Sequence, residues 1–137
     1  VADAYERIVR KVRRELRLRV HRWRESMTGC AWRVTYPDGT EINWIESPRP
    51  RSPISLAIFL HEAGHHAIGF STYRLRCEEE LHAWRWALDR MKLEGIEPDE
   101  RVRIRFEQSM RYAVGKALRR GLKCPPAGLE PFLPQAA

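Results

Sequence analysis

ISLAIFLHEAGHHAIG, residues 54–69, is the stretch whose reading decides the fold. An apolar run from Ile54 to Leu60, interrupted by Ser55, leads into His61, Glu62 and His65, and Gly69 closes the segment. Read as a helix, the stretch places positions four apart on one face, so the His61 and His65 imidazoles can reach a single ion. Glu62 then lies beside that ion without ligating it. Zinc suits such a site, because it accepts neutral imidazoles and a carboxylate and leaves a fourth position for water. Ala63 and Gly64 leave room around the helix backbone.

Upstream, ESPRPRSP (residues 46–53) carries Pro48, Pro50 and Pro53, which forbid a continuing ladder. Ser52 can cap the helix, with Pro53 in its first turn. Before this lie two alternating segments, AWRVTY (31–36) and EINWI (41–45), joined by PDGT, whose Pro37 and Gly39 suit a turn. They predict a small antiparallel hairpin. The first helix is predicted over residues 6–25, where Ile8, Val9, Val12, Leu16, Val20 and Trp23 keep near-helical spacing. Nine Arg or Lys against three Glu make the other face of this segment basic.

Downstream, a third helix is expected from about Glu78 to Gly95, with acids in its first turn, and a fourth from Asp99 or Glu100 to Arg120. Leu81, Trp84, Leu88 and Met91 read as a core stripe. The plan is α+β: an N-terminal helix, a hairpin, then three helices in one domain over residues 1–123, followed by a proline-rich tail, 124–137. The tail is long enough to fold over a groove.

The chain has 137 residues, enough for one modest core and too few for two. No stretch reaches the length of a membrane span and no signal-peptide pattern opens the sequence, so a cytoplasmic location and no membrane partner are expected. Cys30, Cys77 and Cys124 are far apart and form no CxxC pair, which excludes a zinc ribbon and argues against a disulfide framework. The net charge of +7 permits weak attraction to nucleic acid or an acidic partner without showing it.

The HExxH motif of His61, Glu62 and His65 resembles that of the zincin metallopeptidases. The downstream Glu80-Leu81-His82-Ala83-Trp84 is similar to the ExxAD pattern of the gluzincins, including small ImmA/IrrE-type domains, through its alanine. The resemblance spans roughly residues 54–90 and implies a compact zincin-like domain in which zinc is held by His61, His65 and Glu80, with Glu62 as the catalytic base. Trp84 stands where the family has an aspartate that orients a zinc-bound histidine, so another carboxylate or carbonyl must do so. Helical geometry leaves Glu79 as runner-up ligand, with Glu78 and His82 behind it. The resemblance also implies that EINWI, the strand before the motif helix, forms the edge on which an extended peptide lies. Tyr112, His66, His82, Arg105 and Arg111 are candidate donors for a developing oxyanion.

The leading reading is a zinc-dependent metallopeptidase acting on a peptide or protein substrate. The alternative is a zinc-stabilised regulatory or binding protein that contacts nucleic acid or an acidic partner through its basic N-terminal helix. A metal-dependent hydrolase of another amide is the third.

Overall fold

A computed structural model describes residues 3–135. Helix α1 (Ala4–Leu16) begins behind Asp3, whose carboxylate accepts the Tyr5 amide at 2.8 Å, and buries Ile8, Val9 and Val12. It ends nine residues short of the predicted Glu25. Arg17 turns left-handed at φ 54°, and strand β1 (Leu18–Arg24) follows. The reason lies in a second period: Leu16, Leu18 and Val20 also alternate, and a strand there finds backbone partners that a longer helix would forgo. The Asn43 side-chain amide donates to the Leu16 carbonyl at 3.1 Å, satisfying an acceptor exposed by the helix end.

Strands β2 (Cys30–Thr35) and β3 (Glu41–Pro48) form the expected hairpin, with Cys30 opposite Glu46 and Thr35 opposite Glu41. Strand β1 pairs in parallel with the other side of β3, from Leu18 opposite Asn43 to Arg24 opposite Pro48, with an irregularity between Val20 and Arg22. The order is therefore β1-β3-β2. EINWI thus lies in the central strand of the sheet, paired along its length with β2 and from Asn43 onward with β1, which corrects its expected edge position. The outer edges are β1 and β2.

Helix α2 (Pro53–Ile68) starts as the sequence predicts. Ser52 and Ser55 cap one another's backbone amides, Pro53 fills the first turn, and Gly69 closes the helix at φ 89°. Residues Ile54 to Leu60 are all buried, so α2 is the central post of the molecule, packed on β3 and on α3 (Arg76–Leu93). Trp23 and Phe59 bring the sheet and α2 together with ring centroids 6.1 Å apart. Helix α4 (Glu100–Arg119), capped by Asp99, packs on α3 and buries Val102, Met110 and Val114. Among the described residues the tail packs on the core and does not line the groove: Leu129 and Phe132 are part of the core, and Phe132 meets Phe106 edge-on at 5.5 Å. Residues 136 and 137 of the expected tail lie outside the described part.

The three cysteines are unbridged, as their spacing implies, although only Cys77 is fully buried. Among the described residues no helix is long and apolar enough to cross a membrane.

Candidate metal centre

The close approach of α2 and α3 makes the site. A Cβ added to Gly64 would lie 2.6 Å from the Ala83 carbonyl oxygen, so a glycine in the motif faces an alanine in the next helix where the backbones cross. That contact brings Glu80, in the first turns of α3, against the histidines of α2. Glu80 Oε2 is 2.9 Å from His61 Nε2, and Glu80 Oε1 is 3.2 Å from His65 Nε2. One ligand atom from each of the three residues lies within 4.8 Å of the others.

Zinc bound at about 2.1 Å to tetrahedral ligands keeps them about 3.4 Å apart, so the short Glu80 contacts would open slightly and the widest donor pair, within 4.8 Å, would draw in to hold it. Electrostatics favour a cation in the same place. Burial opposes charge on His61, yet the Glu62 and Glu80 carboxylates outweigh it and push its pKa up to about 9. Burial would raise Glu80, but its contacts with His61 and His65 hold it well below the usual carboxylate range. Without a metal, a proton on imidazole supplies the positive charge that the carboxylates demand.

The surroundings settle the histidine orientations. His65 Nδ1 lies 2.6 Å from Glu79 Oε2, leaving Nε2 for the cluster, and Arg76 donates to both Glu79 and Glu80 at 2.9 and 3.0 Å. The orienting carboxylate that Trp84 does not provide is therefore supplied by Glu79. Trp84 stacks on the His61 ring at 4.4 Å and 15°, and fixes that imidazole by its face instead. The Glu78 side chain makes no hydrogen bond or ion pair among the described residues.

Glu62 is 6% exposed, and its Oε2 is 3.3 Å from His61 Nδ1. Its carboxylate fits over Gly29, where a Cβ would come within 2.9 Å of Glu62 Cγ and 2.7 Å of the Glu46 carbonyl. The Gly29 segment is held in turn by Arg24, which donates to Glu46 at 2.8 Å and to Thr28 at 3.1 Å. Gly29 precedes β2, and only the tertiary contact reveals its part.

A groove of about 940 Å³ opens on the cluster. The start of β2 with Thr28 and Gly29 forms one wall and α4 another, over a floor of His61, Glu62, His65 and Glu80. Of the five candidate oxyanion donors, Tyr112, 65% exposed, and Arg105 line this groove. The other three do not line it: buried His66 places Nε2 3.0 Å from the Trp44 carbonyl, His82 stacks on Tyr73 at 4.1 Å, and Arg111 pairs with Glu107.

Compared with family models, curated proteins and solved structures, the chain gives no match. The likeness is one of site geometry: His61-Glu62-x-x-His65 and the downstream Glu80 form a clustered donor set that matches a gluzincin-type HExxH-plus-glutamate site.

Proposed function

We propose that the protein is a zinc-dependent metallopeptidase, with His61, His65 and Glu80 as ligands and Glu62 as general base. The observation that carries this reading is the convergence of the three donors at the floor of an open groove, with a carboxylate beside them that is no part of the donor set. When bound, zinc polarises the scissile carbonyl and lowers the pKa of water. Glu62 accepts the water proton on its carboxylate and passes it to the leaving amine. Glu79 and Trp84 hold the two imidazoles so that both Nε2 atoms face Glu80. Tyr112 and Arg105, on the facing wall, are the donors available to the negative charge that develops on the carbonyl oxygen. The free edge of β2 offers backbone groups to an extended substrate, a part the sequence had given to β3. A purely structural zinc calls for four protein ligands, whereas three converge here among the described residues.

The test is Glu62→Gln, which keeps size and removes the proton acceptor. The variant should retain zinc and the parent melting temperature while losing cleavage of a peptide library by about a hundredfold or more. A variant as active as a measurably active parent would show that Glu62 is not the base.

A further inference from the structure

We infer that the groove selects acidic peptide segments. The inference rests on the peptidase reading for the bond that is cut; the charge on the walls stands independently of it. Five cations line the groove: Arg74, Arg76, Arg105, Lys116 and Arg120. The acids that line it, Glu62 and Glu80, lie on the floor against the histidines. Arg76 is engaged by Glu79 and Glu80. Among the described residues, the side chains of Arg74, Arg105, Lys116 and Arg120 have no hydrogen bond or ion pair. Elsewhere Lys11, Arg24, Arg90 and Arg111 find a carboxylate on the protein itself, whereas the side chains of Arg10, Arg14 and Arg19 have none among the described residues. The groove is set apart by gathering four such cations around one opening, where the carboxylates of a ligand can reach them.

Their placement fits an extended chain. Arg105 on α4 and Arg120, the residue that caps its end, are fifteen residues apart, about 22 Å along the axis, which is the span of about seven extended peptide residues. Arg105, Tyr112 and Lys116 follow one another along the wall at near-helical intervals, and Lys116 and Arg120 are four apart. A peptide can lay a neutral scissile segment over the Glu62 and Glu80 floor while its carboxylates meet the wall cations. A nucleic acid carries charge at every residue, so some of its phosphates would face those two acids, and Tyr112 alone does not make a base-stacking platform.

The experiment uses the zinc-loaded Glu62→Gln protein, which binds without cutting, and fluorescein-labelled peptides of about eight residues that alternate Ala with Glu, Gln or Lys. Fluorescence anisotropy should find the Glu peptide bound about tenfold or more tighter than the Gln peptide, with the advantage shrinking as salt rises. Adding Arg105→Gln, Lys116→Gln and Arg120→Gln should abolish the preference while zinc content is kept. If that protein does not fold, Arg74→Gln with Arg120→Gln, both at exposed positions, reads the same preference. Equal affinity for Glu and Gln peptides, a preference that survives the substitutions, or displacement of the Glu peptide by an oligothymidylate of equal charge at lower concentration would overturn the inference. The parent protein separates the two readings. Cleavage of Glu and Gln peptides at equal rates would refute acid selection and leave the peptidase. Acid-selective binding by a zinc-loaded chain whose parent cleaves no peptide would leave the charged groove and refute the peptidase.

Discussion

Gly64→Ala sets two effects of opposite sign against each other. In an exposed helix interior the change would stabilise by about 1 kcal/mol, because alanine has the higher helix propensity. At residue 64 the new Cβ would sit 2.6 Å from the carbonyl oxygen of Ala83. Ordinary contact begins near 3.5 Å, so the helices must part by about 0.9 Å. The obstructing atom belongs to the backbone of α3, so no rotamer change relieves the clash. Overpacking of this kind costs about 1–3 kcal/mol, which outweighs the propensity gain and leaves a net loss of up to about 2 kcal/mol. For a chain of this size that lowers Tm by several degrees, at about 4 °C per kcal/mol. Zinc binding should suffer more than the fold. Ligand distances tolerate about 0.2 Å, so Glu80, carried on α3, would leave the reach of an ion held by His61 and His65. We expect a lower Tm in thermal melts and zinc affinity reduced about tenfold or more in a chelator competition assay. A variant that melts higher than the parent and binds zinc as tightly would refute the close-crossing argument.

Two further substitutions probe the parts around that crossing. Glu79→Gln should weaken zinc binding by about 10- to 100-fold through loss of the carboxylate that orients His65, and Glu80→Gln should weaken it further; the reverse order in the same competition assay would move the ligand to Glu79. Far from the site, Glu94 receives Lys11 at 2.9 Å and Arg90 at 2.8 Å, and Arg90 also binds Glu15, tying α1 to the end of α3. Burial raises the Glu94 pKa, but Lys11 and Arg90 bring it below its ordinary 4.5. A folded-state pKa below the unfolded one stabilises at neutral pH, and that contribution is lost as pH falls below 4.5 through the folded value. Thermal melts of the metal-free protein should therefore show the parent losing Tm more steeply than Glu94→Gln as the solution is acidified through this range, and parallel curves would remove the clamp from the account.

The sequence by itself determined what depends on neighbours a few residues apart. The i, i+4 histidines, the Ser52 cap with Pro53, the PDGT turn and the stop at Gly69 are short-range features, and each fixes local backbone geometry wherever the chain then packs. Tertiary structure alone decided the end of α1. Leu16 and Val20 fit a helical face and, with Leu18, also an alternating pattern, and the choice fell to β3, whose Asn43 lies opposite Leu18 across 25 residues of chain. That pairing moved β3 to the sheet centre and left β2 as the edge beside Glu62. Tertiary structure likewise gave Glu80 and Glu79, which the sequence ranked as first choice and runner-up for one role, two different roles: Glu80 reaches both Nε2 atoms, and Glu79 reaches Nδ1 of His65. The groove wall on α4 was hidden for the same reason. A helix face becomes a wall only when another element stands opposite it, and local periodicity carries no information about what that element is.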